Sequence, residues 1–458
     1  NWLKKYLDIP DSISADFLAR EITRTVAEVE GYEKEGELLE NVVVGKITAV
    51  KKHPDADSLQ VCDVNIGEKE NITLVCGGSN VKKGILVPVS LPGSFARWHG
   101  EGEPVKIKKA KIRGVESHGM IAASDEIGLA NLFPKSEERE IVNLTHFNIE
   151  ANPGDLLKDI LGFEDIIFEI ENKTLSNRPD LWGHYGWARE ISAILDIPLK
   201  DIPIQDFVMG SEAVTVKVED NNDCMRYMGV QVDNVTIGPS PEWLKHDLEK
   251  IGIRSINNIV DITNYVMLDL GHPMHAFDAH KLSGGITVRR GKDSEKLTLL
   301  DDTELEINDS MIVIADKKGP VALAGIMGGK GSEVDSTTTS LFLEAAVFNA
   351  SKIRQTSTEI GLRTDSSVRF EKSLDAYGLD NALKRAVNLI QKVLPDAKVA
   401  TEVIDMKRQL PHPIHLELTQ EKVQNVLGTE SISKKFIISK LKHLGFDIKE
   451  LDDKKSWE

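Results

Sequence analysis

Apolar residues recur at helical spacing early in the chain, at Phe17, Leu18, Ile22, Val26 and Val29, with cap candidates in the Asp11–Ser14 cluster. A short strand or turn precedes that helix. Near Val42 the period changes. Val42–Val50, Leu59–Ile66 and Ile72–Cys76 are β-branched runs separated by turns such as His53-Pro54-Asp55 and Gly77-Gly78-Ser79-Asn80, and Val105–Ile112 continues the series. Short strands at this spacing predict a small barrel.

Beyond residue 150 the pattern predicts a strand within 153–170, a turn at Asn177-Arg178-Pro179-Asp180, and a helix Gly183–Leu195 with Trp187, Ile191 and Ile194 on one face. A proline-rich join, Ile197-Pro198 to Ile202-Pro203, leads to an α+β region. Its expected strands are Val214–Val218, Gly229–Val235, Gly285–Arg290, Met311–Ala315 and Ser340–Glu344; its expected helices are Glu242–Ile251 and Ala376–Val393. From Leu410 a small helical unit begins, with Ile437, Leu441 and Leu444 on one face of a helix Ile432–Leu444. The expected architecture is multidomain α+β. An OB-type β-barrel (40–150) is inserted in a small α+β domain (1–39 plus 151–205). A larger α+β domain (212–400) and the start of a small helical domain (405–458) follow.

Composition narrows the classes. At 458 residues the chain has room for three or four cores, and its 41% hydrophobic and 28% charged residues are ordinary for a globular protein. No apolar run is long enough to span a membrane, and no secretory signal opens the sequence given. The first residue is Asn rather than Met and the last, LDDKKSWE, stop in mid-pattern, so both ends read as cut. Three scattered cysteines, Cys62, Cys76 and Cys224, fit a reducing cytoplasm rather than a disulfide framework. A net charge of −17 argues against a general polyanion binder, yet residues 41–120 hold 12 Lys+Arg against 8 Asp+Glu. A mildly basic module on an acidic body suits contact with a nucleic acid in one orientation.

The candidate nucleic-acid residues are Lys51 and Lys52, before the His53 turn, and Lys106, Lys108, Lys109, Lys111 and Arg113. In one extended strand, Lys106 and Lys108 would share a face, as would Lys109, Lys111 and Arg113, giving two cation stripes that can follow a phosphate backbone. The bland alternative is a solvated strand whose lysines discourage edge pairing. His53, His99 and His118 have no metal-ligand spacing. Together the HPDAD and RGVESHGM segments make residues 40–150 resemble the tRNA-binding OB domain of several synthetase subunits and of free-standing tRNA-binding proteins.

The larger domain gathers polar residues beside glycine turns: Arg254; Thr263 and Asn264; His275; Ala324-Gly325-Ile326-Met327-Gly328-Gly329; Glu344; and Thr364-Asp365-Ser366-Ser367. Each could cap its own turn, but their number points to one pocket. No Gly-x-Ser-x-Gly elbow, His-Glu-x-x-His motif or paired nucleophilic cysteine is present. His275, Asn264, Thr263, Arg254 and Glu344 could instead orient a water and a polar substrate without a covalent intermediate.

GHPMHAFD, VDITNYV and GLRTDSSVRFEK resemble the editing domain of bacterial phenylalanyl-tRNA synthetase β subunits, as do Asn177-Arg178-Pro179-Asp180 and Gly186-x-Ala188-Arg189-Glu190. The resemblance implies hydrolysis of tyrosine mis-attached to tRNA(Phe). It gives His275, Asn264, Thr263 and Arg254 to the ester, water and ribose, and Glu344 and Gly328 to the tyrosine hydroxyl, with Thr364 and Ser366 on the pocket wall. Ser366 departs from the small apolar residue common in the family. The resemblance further implies a cytoplasmic heterotetramer of two α and two β chains, with ATP and Mg2+ used by the whole synthetase, the synthetic site on the α subunit and the magnesium ligands beyond residue 458. Two alternatives stay open: a tRNA-binding protein or chaperone with an inactive editing domain, and a free-standing editing hydrolase.

Overall fold

Why the segment after Val42 pairs as it does follows from its β-branched runs and tight turns. In the computed structural model, which describes every residue except 131, 164, 409, 411, 413, 452–455 and 458, β1 (Val42–His53) turns back at Pro54-Asp55 into β2 (Ala56–Asn65). With β3 (Ile72–Cys76), β4 (Leu86–Ser90) and β5 (Met120–Ile121) they form a five-stranded antiparallel sheet in the order β5-β4-β1-β2-β3. Alternate residues Val43, Ile47, Cys62, Val64, Leu74, Val87 and Val89 fill its core. This sheet belongs to a compact unit of residues 32–167.

Two expectations for this unit change. Among the described residues the ladder does not close into a barrel: β5 is two residues long and pairs β4 alone. Its neighbouring segment reaches β3 by single bonds instead, His118 N to the Thr73 carbonyl (2.9 Å) and Val75 N to the Ser117 hydroxyl (3.0 Å). Nor is Val105–Ile112 one strand. Glu101–Lys106 pairs Phe95–Trp98, while Ala110–Ile112 pairs Val115–Ser117. Between them Ile107 spends its backbone groups on Ser94 and Gly93, which breaks the alternation. The two continuous cation stripes are therefore not formed: Lys109 lies outside a strand, and Arg113, at φ 43°, sits in the turn with Gly114.

Residues 1–31 and 168–458 make the second compact unit. Helix α1 (Ala15–Thr25) starts at Ser14, whose side chain accepts from Phe17 N, and α2 (His184–Leu195) follows the Asn177–Asp180 turn. The strand expected within 153–170 is confined to Ile166–Ile170, because Leu157–Leu161 forms a short helix ended by left-handed Gly162. Two sheets dominate this unit. In one, β8 (Ser340–Phe348) lies between β6 (Cys224–Asp233) and β7 (Met274–Asp278), with Lys398–Val399 and Ile404–Lys407 on β6 beyond. The other orders Val216–Val218, Ile286–Arg290, Ile312–Ala315, Pro320–Leu323 and Met327–Gly328, its first pair parallel.

Helix α3 (Asn258–Leu270) was not expected from periodicity. Ten of its thirteen residues are buried, so it has no polar stripe to read, and Asn257 caps it through Ile259 N and Val260 N. Short helix α4 (Asp365–Phe370) also went unpredicted, whereas α5 (Leu379–Val393) is strongly amphipathic. Asp269 of α3, fully buried, accepts from Trp2 Nε1 (2.7 Å), Tyr6 Oη (2.7 Å) and Arg385 Nε of α5 (3.1 Å). A buried carboxylate satisfied this fully ties the first residues to the helices, and removing a partner would leave it uncompensated.

Candidate active site

Strand register builds the centre of the site. His275 on β7 is directly opposite Glu344 on β8, and Gly229 on β6 is opposite Glu344 from the other side. Directly paired residues of antiparallel strands project to one face, so His275 and Glu344 are neighbours there. Gly229 admits the buried Phe342 ring, which lies so close that a Cβ there would come within 2.3 Å of it. Two residues along β6, Tyr227 donates its hydroxyl to Glu344 Oε2 at 2.7 Å.

Burial sets the electrostatics. Glu344 is 5% exposed; desolvation pushes its pKa up to about 8, against the lowering effect of the Tyr227 hydrogen bond. At neutral pH its carboxyl is thus largely protonated, and can donate through one oxygen while accepting through the other. Tyr227 is raised well above the usual phenol range, by burial first and by Glu344 second. His275 is half-buried as a residue, but its Nε2 is sealed from solvent without a hydrogen-bond partner in the described structure. Burial holds its pKa down at about 4, leaving a neutral imidazole at pH 7. Its ring meets Phe277 edge-on at 4.4 Å between centroids. Gly328 closes the other side, where a Cβ would lie 2.5 Å from His275 Cε1.

Thr364 approaches through backbone. Its hydroxyl donates to the Ile326 carbonyl (2.8 Å), two residues from Gly328, while accepting from Ser367 N to cap α4. Ser367 completes that capping box; half-buried Ser366 takes no part in it. Thr263 and Asn264 lie on α3, where successive side chains point about 100° apart. Thr263 is buried and bonds its own helix at the Val260 carbonyl (2.8 Å); Asn264 is half-buried. Arg254 is exposed on the loop before α3. The structure therefore joins His275, Glu344 and Gly328, and ties Thr364 to them through the Ile326 carbonyl. Among the described contacts none links Arg254, Thr263 or Asn264 to that group.

Two supporting residues escaped the sequence reading. Tyr227 sits in an ordinary strand pattern, and only register reveals it. Buried Asp261 accepts from the Ser240 and Ser255 hydroxyls and from Ile256 N (2.8 Å), holding the loop that carries Arg254. Its polarity within an apolar helix was the available signal. A surface cleft of about 460 Å³ lined by Asp293, Lys296, Glu306 and Asn308 contains none of these residues.

In the 32–167 unit the two distinctive segments meet. His53 is buried; its Nε2 contacts the Ile112 carbonyl (3.1 Å) and its Nδ1 accepts from Asp55 N (3.1 Å). Arg113 Nη1 donates to the Asp55 carbonyl (3.3 Å). Lys51, Lys52, Lys106, Lys108, Lys109 and Lys111 are exposed, Lys51 lying 3.6 Å from Asp63.

Comparison with known proteins adds a third line. The family model described as "Putative tRNA binding domain" matches residues 42–148, and that for the B3/4 domain matches residues 223–395. The phenylalanine–tRNA ligase β subunit of Fusobacterium nucleatum is 37% identical over 462 residues, covering 99% of this chain and 55% of that protein. That of Bacillus subtilis is 38% identical, again over 99% of this chain and 55% of the relative. A solved N-terminal fragment of the phenylalanyl-tRNA synthetase β subunit from Pyrococcus horikoshii overlays 64% of this chain and 80% of its own, at 15% identity and a TM-score of 0.32. The chain spans about half the length of the curated relatives it matches.

Proposed function

The chain belongs to the phenylalanine–tRNA ligase β-subunit family, and on that premise we propose that it binds tRNA(Phe) through residues 40–150 and hydrolyses Tyr-tRNA(Phe) in residues 212–400. The observation that carries this reading is the His275–Glu344 pair on one sheet face, with Gly328 against the imidazole. Neutral His275 orients a water toward the ester carbon. The water oxygen attacks, the bond to the ribose oxygen breaks and that oxygen takes a proton, releasing tyrosine. Positioning supplies much of the effect, because the ester is already activated.

Protonated Glu344, anchored by Tyr227, donates to the phenol oxygen of the tyrosyl group. A buried site built to bond a hydroxyl can favour it by roughly 10⁴, because the analogue without it leaves a polar group unpaired. Arg254, Thr263 and Asn264 hold the terminal ribose. Ser366 stands on the wall of the same pocket with Thr364.

The surrounding assignments follow: 1–39 plus 151–205 as an N-terminal α+β domain, 40–150 as an OB-type module, and 405–458 as the start of a small helical domain, its residues 409, 411, 413, 452–455 and 458 lying outside the described ones. The complete cytoplasmic synthetase would pair two such chains with two α subunits and use ATP and Mg2+ to attach phenylalanine. Among the described residues no group of three His, Cys, Asp or Glu side chains could hold a metal ion, so no step here is routed through magnesium. No described helix is long and apolar enough to cross a membrane.

Deacylation of Tyr-tRNA(Phe) and Phe-tRNA(Phe) by this chain tests the reading. Rapid loss of tyrosine with phenylalanine retained is expected. Loss of neither, with tRNA still bound, would favour the second reading, a tRNA-binding protein with an inactive editing domain.

A further inference from the structure

The hairpin Phe95–Trp98/Glu101–Lys106 exposes large apolar side chains that the fold does not use. Trp98 is 72% exposed, Val105 60% and Phe95 41%. Large apolar groups gathered on one small hairpin are unfavourable in water unless something covers them. The hairpin is held firmly. His99 and Gly100, both left-handed, make its two-residue turn, as a tight hairpin requires. Its tip is pinned by Arg97 N to the Glu126 carbonyl (2.8 Å), and Gly100 packs so closely on Asp125 that a Cβ would lie 2.7 Å from that side chain. Its base is pinned by Ile107 N to the Ser94 carbonyl (2.8 Å) and Gly93 N to the Ile107 carbonyl (2.9 Å). An aromatic ring on such a pinned element loses little entropy when a ligand settles on it.

Charge says which ligand. Residues 95–113 carry six cations, Arg97, Lys106, Lys108, Lys109, Lys111 and Arg113, against the two carboxylates Glu101 and Glu103, in a chain whose net charge is −17. Lys106 Nζ lies 5.9 Å from the Phe95 ring centroid, mixing cation with aromatic face. Trp98 stands opposite Glu101 at the tip and the cations begin at the other end, so one pinned element offers an aromatic face and then a cationic segment, which fits the base and phosphate of single-stranded nucleic acid. An apolar peptide partner would gain nothing from six cations.

We propose that Trp98 is a base-stacking platform for an unpaired base of the bound tRNA, with Lys106 and the lysines after it, at the other end of the hairpin, on phosphates further along the strand. This rests on the reading of residues 40–150 as an RNA-binding module and adds the contact that does not depend on salt. The test is binding of unmodified tRNA(Phe) transcript to the full chain over a salt series, for wild type, Trp98→Ala and Trp98→Phe. Loss of a stacked base lowers affinity about 5- to 150-fold. The expected result is a loss in that range for Trp98→Ala, with the slope of log affinity against log salt unchanged, most of the loss restored by Trp98→Phe and melting temperatures equal. Unchanged affinity in Trp98→Ala would overturn the proposal, and so would a loss that comes with a shallower slope, which marks a phosphate contact. Absence of tRNA binding by the wild type would instead remove the underlying reading, and the proposal with it.

Discussion

The two candidate sites treat charge in opposite ways. In the 32–167 unit the lysines stand in water, and Lys51 keeps its ion pair with Asp63 at an exposed 3.6 Å, where such pairs contribute little. In the other unit Glu344 and His275 are drawn away from water, and burial itself makes one neutral acid and one neutral imidazole. Exposed charges act over distance and are screened by salt; buried titratable groups act at contact and answer to pH. The comparison teaches that the same residue types serve attraction in one place and recognition in the other, according to solvent access.

The largest effect should come from the buried side. His275→Ala should slow Tyr-tRNA(Phe) hydrolysis by about 10²-fold or more while leaving tRNA affinity nearly unchanged. Equal rates in single-turnover deacylation would take His275 out of the mechanism and leave the comparison without its chemical half.

Next in size, neutralising Lys108, Lys109 and Lys111 together should weaken tRNA binding and flatten its salt dependence, each lost phosphate contact lowering the slope by about 0.7–0.9. The deacylation rate at saturating tRNA should stay as it was. A salt slope identical to the wild type's would return these lysines to solvated strand edges.

The smallest effect is on stability against pH. Glu344 is raised from 4.5 to about 8, so the folded state holds its proton where the unfolded chain has released it. That contribution is full below about pH 4.5 and lost as pH rises toward 8. His275 and His272, each lowered from 6.5 to about 4, act the other way, and their contribution is lost as pH falls from about 6.5 to 4. His184, also lowered by burial, acts with these two histidines, so the Glu344 contribution dominates only above pH 7: melting temperature should decline between pH 7 and 8 in the wild type and decline less in Glu344→Gln. Parallel curves would mean that Glu344 is not buried as a neutral acid.

Much of the fold could be read from the chain. The strand at Ile72–Cys76 follows from a β-branched run between turns, the helix at His184–Leu195 from apolar residues at helical spacing, and the helix at Leu379–Val393 from a core face set against a polar one. Helix Asn258–Leu270 was not legible for the converse reason: with Asp261, Thr263 and Asp269 buried beside its apolar residues, no face contrasts with another. The single strand expected at Val105–Ile112 failed because hairpin pairing is settled by partners and turns, here His99-Gly100 and Arg113-Gly114, rather than by alternation.

The candidate site divides along the same line. Residue types and their neighbours determined that His275, Glu344, Gly328 and Thr364 merit attention, since polar groups beside glycine turns in apolar strands must find partners. Only the tertiary structure decided which partners. Register, a matter of pairing between strands far apart in the sequence, put Glu344 between His275 and Tyr227 and left Gly229 beside it without a side chain. Burial, a property of everything packed around a residue rather than of the residue, then set their protonation.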